Sequence, residues 1–144
     1  MGVALTPCTV PEAGKPTFEI GDDEMEIGMG IHGEPGVRRG PLTTAVDITR
    51  EILDGILRDQ PLTNGDKVCA MINSLGATPP EELYIVYGHV ASRLNDLGVE
   101  IAVPLVGRYA TSMEMAGLSI SICKLDAEIQ SLLQAPCNCA FWKV

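Results

Sequence analysis

The sequence predicts an α/β fold, a two-layer mixed β-sheet with helices packed on one face, within a single domain spanning residues 1–144. The first observation is the order of short strand-like and longer helix-like segments, which reads β-β-α-β-α-β-β-α. The second is composition: hydrophobic residues make up 46% of the chain and aromatic residues 4%, so aliphatic side chains and methionine must build the core. The third is length, because 144 residues suffice for one substantial core.

The chain begins with a loop and continues into strands. Residues 6–16 contain three prolines and a glycine, which predicts a loop. The segment 18–32 predicts two short strands about a turn at Gly21-Asp22-Asp23. Because side chains alternate along a strand, we expect an apolar face of Met25, Ile27, Met29 and Ile31 and an opposite face of Glu24, Glu26, Gly28, Gly30 and His32.

Helical periodicity predicts helices at 43–59, 80–97 and 126–134. Thr43 or Thr44 is suited to cap the first helix, since a threonine hydroxyl can accept from a free backbone N–H. Pro79 or Pro80 can begin the second helix, because proline is favoured at the first helical position. Gly98 follows that helix and is expected to end it.

Apolar or alternating segments predict strands at 66–72, 99–107 and 118–125. Pro104 within the second of these indicates a sheet edge or a bulge, since proline cannot donate a ladder hydrogen bond. The polar segments 73–78 and 109–112 follow strands, where ligands often bind, although such segments are more often plain connections.

Charge excludes several classes of partner. The formal net charge is −9, and the largest basic cluster is Arg38-Arg39, so we expect no nucleic-acid partner. The same balance argues against an anionic membrane surface. No apolar run is long enough to span a bilayer and no secretory signal is visible, which predicts a cytoplasmic protein.

Five cysteines form no disulfide pattern and are expected to be reduced. Cys69 and Cys123 lie in apolar runs and are expected in the core. Cys137 and Cys139 form a CxC pair that would need two further ligands to hold a metal, so we expect no metal site there.

The stretch GMGIHGEPG at 28–36 is the strongest candidate site. A neutral imidazole such as that of His32 can act as a base, ligand or nucleophile, and neighbouring glycines let the backbone approach a ligand. The alternative is a solvated histidine in a glycine-rich turn. Arg38-Arg39 could meet a phosphate or an acidic partner, but a solvated pair ahead of a helix fits as well.

Three blocks resemble the substrate-binding (K) subunit of the dihydroxyacetone kinase family, in its second half. They are CTVPEAGKPTFEIGDDEMEIGMGIHGEPGVRR, GDKVCAMINSLGATPPEELY and GRYATSMEMAGLSISICKLD. The resemblance implies that His32 adds reversibly to the carbonyl carbon of dihydroxyacetone and forms a hemiaminal. It also implies that Gly28, Gly30 and Gly33 leave room for this triose, which is also called glycerone, while it is phosphorylated.

The resemblance further implies partners. The family's subunit has an N-terminal half with a Gly-rich loop, a second histidine and an aspartate that this sequence lacks. No cofactor is expected on this chain; ATP or ADP with Mg would lie on a nucleotide-binding partner subunit or domain, with ATP or the phosphotransferase relay as the phosphoryl source. A homo-oligomer is also expected. The alternatives are a triose-binding sensor or interaction module and, with little support, a redox protein using Cys137 and Cys139.

Overall fold

The computed structural model describes residues 1–30, 35–140 and 142–144. Its main sheet contains β1 (Gly2–Ala4), β4 (Glu24–Met29), β5 (Arg38–Pro41), β6 (Lys67–Ser74), β7 (Glu100–Gly107) and β8 (Gly117–Leu125). A separate two-stranded ribbon pairs β2 (Thr9–Val10) with β3 (Lys15–Pro16). The helices are α1 (Ala45–Asp59), α2 (Pro80–Asp96) and α3 (Ala127–Leu133). These elements confirm the predicted α/β class.

The main sheet is mixed, with strand order β5-β4-β1-β8-β6-β7. β6 and β7 are parallel, because α2 crosses between them, and the other neighbouring pairs are antiparallel. Pro104 lies in β7 at one end of the strand order, as its missing N–H predicts. The register shift between β6 and β7 falls at Val68 and Cys69, close to the start of both strands.

The two long helices cover one face of the sheet. Their buried residues, which include Ile52 and Leu53 of α1 and Val90 and Leu94 of α2, pack on Ile72 and other apolar strand residues. The Thr44 hydroxyl accepts from the Asp47 N–H at 3.2 Å and caps α1, which confirms one of the two predicted caps. Pro80 is the first residue of α2, as predicted.

Gly98 follows the end of α2 with a φ of +70°, which confirms the predicted stop. The positive φ favours glycine at this position, and a Cβ on Gly98, 2.0 Å from Asn64 Oδ1, would also displace the Asn64 side chain.

The opposite face of the sheet is mostly free of helix. Leu133 of α3 packs there against Cys69, Val103 and Leu125, so the prediction of helices on one face holds for α1 and α2 but not for α3. We call the remainder the open face and define it by Gly2, Ala4, Met29, Asn73, Ser119 and Ser121. This face carries the candidate site.

One strand prediction was wrong, and several short strands were not predicted. Residues 18–20 form no strand, although the turn before Glu24 is present, with the Glu24 N–H donating to the Gly21 carbonyl at 3.0 Å. The strands β1 and β5 were missed because three or four residues are too few to show a period. The two-residue strands β2 and β3 were missed for the same reason, and they lie within residues 6–16, which were expected to form only a loop. Cys123 was also misplaced: Cys69 is buried, but its cross-strand partner Cys123 is exposed.

The alternation predicted for β4 holds at Met25 and Ile27, which are buried beneath the helices, and then breaks. Val3 pairs with Ile27 but Gly2 pairs with Met29, so Gly28 is an extra residue, and its φ is +85°. Such a glycine bulge reverses the side-chain parity beyond it. Met29 therefore packs on the open face with Ala4, and its predicted place beside Ile27 is wrong.

Within the ranges 1–30, 35–140 and 142–144, no helix has both the length and the apolar character needed to cross a bilayer.

Candidate functional site

A cavity of about 400 Å³ opens on the open face, at the end of β4 that leads into GIHGEPG. Methionines and Leu75 supply its apolar part, and hydroxyl groups from β8 and from the loop after β7 supply its polar part. The residues that line it are Met1, Gly2, Met29, Gly30, Leu75, Ala110, Thr111, Ser112, Met115, Ser119 and Ser121. The mixture of apolar walls and a few hydroxyl groups suits a small polar organic molecule.

Asn73 organises one wall of this cavity from the end of β6. Its side chain is 2% exposed, and its oxygen accepts from the backbone N–H groups of Tyr109 and Ala110 at 2.8 and 3.0 Å. Its amide nitrogen donates to the Ala110 carbonyl at 2.7 Å and to Ser119 Oγ at 3.2 Å. All four hydrogen-bonding positions of the amide are therefore used, and the loop after β7 is fixed to the sheet.

A second set of buried bonds joins the loop after β6 to the start of β8. Ser74 Oγ donates to the Thr78 carbonyl at 2.8 Å, and Thr78 Oγ1 donates to the Gly117 carbonyl at 2.7 Å. Gly76 approaches the Met113 carbonyl so closely that a Cβ on it would lie 1.9 Å from that oxygen. The segments 73–78 and 109–112, which the sequence presented as separate loops, thus form one rigid wall.

Glu26 fixes the chain that follows GIHGE. One carboxylate oxygen accepts from the Gly36 N–H at 2.7 Å, and the other accepts from Arg39 Nη2 at 2.6 Å and Nε at 3.2 Å. The Val37 N–H donates to the Ile27 carbonyl at 2.7 Å and provides a second connection between β4 and the chain that follows GIHGE. The hydrogen bonds from Arg39 and then from the Gly36 N–H hold the pKa of the Glu26 carboxyl below its usual value.

Arg38 and Arg39 are both engaged inside the chain. Arg38 donates through Nε and Nη2 to the two oxygens of Glu51 on α1, at 2.7 and 2.6 Å. This bidentate pair lowers the pKa of Glu51, with the Arg38 hydrogen bond as the main cause. Arg39 also donates to the Glu19 carbonyl at 2.7 Å. The structure therefore favours structural ion pairs over the phosphate site considered for these arginines.

Of the site residues predicted from the sequence, the structure places those that it describes in different positions. His32 and Gly33 lie outside the described residues, and their roles stay predictions. Gly30 lines the cavity. Gly28 forms the bulge, and its missing side chain makes room for Val37, whose Cγ2 would lie 2.5 Å from an added Cβ. Gly28 is not among the cavity-lining residues, so its role as a substrate-binding residue stays a prediction.

The second histidine lies elsewhere. His89 lines a groove between α1 and α2 with Asp54 and Arg93, on the other side of the sheet from the cavity. In the part of the chain that the structure describes, no three His, Cys, Asp or Glu side chains come together as a metal site would require. Cys137 and Cys139 are exposed free thiols.

Ser119 is a site residue that the sequence analysis missed, and Asn73, which lies in the segment 73–78 considered above, was not singled out within it. A signal was present, because Asn73 and Ser74 end a strand whose inner part is apolar, and Ser119 and Ser121 alternate with isoleucine in β8. A polar residue at a buried strand position requires partners, and those partners lie in the loop that walls the cavity.

Comparison with known proteins places this geometry in a family. Residues 1–141 match the family model described as "Dak1 domain". The chain is 45% identical to the dihydroxyacetone-binding subunit DhaK of PTS-dependent dihydroxyacetone kinase 2 from Listeria innocua, over 100% of this chain and 44% of that protein.

Two solved structures are also similar. The dihydroxyacetone kinase operon co-activator Dha-DhaQ superposes with a TM-score of 0.82 and 30% identity, over 94% of this chain and 42% of that one. The dihydroxyacetone kinase from C. freundii in complex with AMP-PNP and Mg2+ superposes with a TM-score of 0.71 and 29% identity, over 92% of this chain and 24% of that one. The chain thus spans less than half of these relatives, and it belongs to the Dak1 domain family.

Proposed function

We propose that this chain is the dihydroxyacetone-binding part of a dihydroxyacetone kinase, and that His32 holds the triose as a hemiaminal during phosphoryl transfer. The observation that carries the proposal is the cavity on the open face, which combines Gly30 with hydroxyl groups of β8 and the loop after β7. Gly30 stands two residues before His32, so covalent geometry keeps the two Cα atoms within about 7 Å of each other. A ligand held by His32 is therefore within reach of this cavity.

The chemistry at His32 is an addition to a carbonyl. The unprotonated ring nitrogen donates its electron pair to the carbonyl carbon, a carbon–nitrogen bond forms, and the carbon–oxygen π bond breaks. The carbonyl oxygen gains a proton, and the other ring nitrogen gives one up. Glycerol has no carbonyl and cannot form this bond, so the addition selects for dihydroxyacetone where hydrogen bonding alone would discriminate poorly.

The reaction needs histidine in its neutral form. Carboxylates close to an imidazole favour the charged form, and Glu26 accepts from the N–H of Gly36, the last residue of GIHGEPG, at 2.7 Å. Arg39 lies against Glu26 at 2.6 Å and offsets its charge. This pair supports the proposal because it reduces the pull of Glu26 toward a protonated imidazole.

Phosphoryl transfer requires groups beyond this chain. We propose an N-terminal half that completes the triose site and a nucleotide-binding subunit or domain that carries ATP or ADP with Mg. A homo-oligomer is part of the same proposal. One relative is named as PTS-dependent and another is described as a complex with AMP-PNP and Mg2+, so either donor fits the family. The product is dihydroxyacetone phosphate, with one terminal hydroxyl as the attacking group.

A regulatory function is the second candidate. The similar solved structure described as an operon co-activator supports it, because that protein shares this fold over 94% of the chain. In that case the chain would bind the triose through the same cavity and act as a sensor or interaction module without transferring phosphate.

Nuclear magnetic resonance of the two histidine rings tests the proposal. We expect a new His32 ring signal with dihydroxyacetone and none with glycerol, and the loss of that signal in His32→Ala. His89→Ala is the matched control, because His89 lies across the sheet from the cavity and its removal leaves the new signal in place. Equal, small responses to both compounds would contradict the proposal.

An activity measurement separates the two candidates. The chain is combined with the nucleotide-binding subunit and the N-terminal half of a relative, and dihydroxyacetone phosphate is measured with each phosphoryl donor. Product formation that depends on His32 supports the kinase. A His32 adduct without product from either donor supports the sensor.

A further inference from the structure

We propose that Ser119 is a specificity-determining residue of the cavity, and that Asn73 orients it so that its hydroxyl proton donates to an oxygen of the bound small ketose. The proposal rests on the proposed function for the identity of the ligand. It adds a polar contact from this chain that is separate from the bond at His32.

The orientation of the Asn73 amide is determined by its partners. Its oxygen faces two N–H groups, those of Tyr109 and Ala110, while its nitrogen faces the Ala110 carbonyl at 2.7 Å. A reversed amide would place its oxygen against that carbonyl and its NH₂ group against two N–H donors. The amide nitrogen therefore also points at Ser119 Oγ, 3.2 Å away.

This contact sets the direction of the Ser119 hydroxyl. Asn73 Nδ2 has only hydrogens to offer, so Ser119 Oγ must act as the acceptor. Within residues 1–30, 35–140 and 142–144, Ser119 Oγ makes no second hydrogen bond. Its proton is therefore available to an acceptor in the cavity that Ser119 lines. The oxygen of Ser119 is thus fixed from behind by a buried group while its proton faces the ligand space.

Ser121 provides the contrast. It stands two residues along β8 on the same face and also lines the cavity, but it is exposed, and the Asn73 amide donates to Ala110 and Ser119 instead of to it. An exposed hydroxyl exchanges its bonds with water, so donating one to a ligand brings little net gain. Ser119 is half-buried and oriented before the ligand arrives, which lowers the cost of binding.

The experiment measures dihydroxyacetone binding to the full chain by titration, followed in the backbone amide signals of Tyr109 and Ala110. In Ser119→Ala we expect affinity to fall about tenfold, as for loss of one oriented hydrogen bond to a ligand. In Ser121→Ala we expect a change of less than about twofold. Ser119→Thr keeps the hydroxyl and is expected to restore most of the affinity.

Asn73→Asp tests the positioning role separately. A carboxylate at this position accepts the Ser119 proton and draws it away from the cavity, so affinity should fall as in Ser119→Ala although Ser119 is intact. Thermal unfolding identifies any variant that fails to fold, and Ser119→Ala removes only one oxygen from a half-buried position.

The outcomes are distinguishable. Equal affinities in Ser119→Ala, Ser121→Ala and the unmodified chain would overturn this inference and leave the proposed function standing. Failure of the unmodified chain to bind dihydroxyacetone would overturn both. A loss in Ser119→Ala that Ser119→Thr does not rescue would also overturn it, because packing rather than the hydroxyl would then be responsible.

Discussion

Replacement of Glu26 tests whether its ion pair with Arg39 supports ligand binding. Glu26 is 14% exposed and joins Gly36 and Arg39, the two points at which the chain returns to the sheet. Glu26→Gln keeps an acceptor for the Gly36 N–H and loses the charge-assisted bonds to Arg39. Arg39 is 43% exposed, so water screens part of that interaction.

These contacts set the expected magnitude. Glu26→Gln should lower the free energy of unfolding by about 1 kcal/mol, and Glu26→Ala, which also leaves the Gly36 N–H without its partner, by about 2–3 kcal/mol. For a chain of this length each kcal/mol corresponds to a fall of about 3 °C in Tm. Both variants should weaken dihydroxyacetone binding, the alanine variant more, because the chain on the C-terminal side of GIHGE is released.

Glu51→Gln is the matched control. Glu51 forms the neighbouring bidentate pair with Arg38, but it lies on α1 and contacts neither Gly36 nor Arg39. Its replacement should cost less stability and leave binding unchanged. Thermal unfolding and the same titration measure both effects. If Glu26→Gln and Glu51→Gln weaken binding equally, the proposed role of Glu26 is wrong.

Three further predictions concern stability. The folded-state pKa of Glu26 is lowered, so the contribution of its carboxylate to the free energy of unfolding is complete above the unfolded-state pKa of about 4.3 and is lost as pH falls through the folded-state pKa. Urea unfolding measured from about pH 6 to about pH 3.5 should therefore show a smaller fall in the free energy of unfolding for Glu26→Gln than for the unmodified chain. Gly28→Ala should cost about 2–3 kcal/mol, and Gly65→Ala, which has a similar φ of +90° but no atom within 4 Å of the new Cβ, about 1 kcal/mol. Equal losses would show that the clash at Gly28 is absent. Thr44→Ala should cost about 1 kcal/mol by removing the cap of α1, and Thr43→Ala clearly less; the reverse order in thermal melts would identify Thr43 as the cap.

The long helices were predictable from the sequence because their signals are local. Thr44 caps α1, and Pro80 and Gly98 bound α2, each for a reason that involves only the nearby backbone. The edge position of β7 was predictable for the same kind of reason, since Pro104 lacks the N–H that a residue of an inner strand donates to one of its two neighbouring strands.

The bulge in β4 could not be predicted from alternation. The pattern of Met25, Ile27 and Met29 suits a regular strand, and the insertion at Gly28 becomes apparent only when the partner strand is known. β1 is that partner and comprises three residues, too few to register as a strand. A position that depends on pairing between distant segments is set by the fold and not by local sequence.

The candidate site was predictable in part. Gly30 was predicted to bind substrate; it lines the cavity, and its contact with substrate stays a prediction. The segments 73–78 and 109–112 were considered from the sequence as places where ligands bind, but the contact between Asn73 and Ser119 was not predicted, because these residues lie 46 residues apart and meet only through the pairing of β6 with β8. The polar character of Asn73 and Ser119 at strand positions was visible in the sequence, but the hydrogen bond between them was not.

Carbon-13 magnetic resonance of dihydroxyacetone labelled at its carbonyl carbon tests the central claim most directly. The account predicts that the chain converts part of the carbonyl signal into that of a tetrahedral carbon bonded to nitrogen. That signal should be absent with His32→Ala and retained with His89→Ala. An unchanged carbonyl signal in the presence of the unmodified chain, or a tetrahedral signal that survives in His32→Ala, would contradict the account.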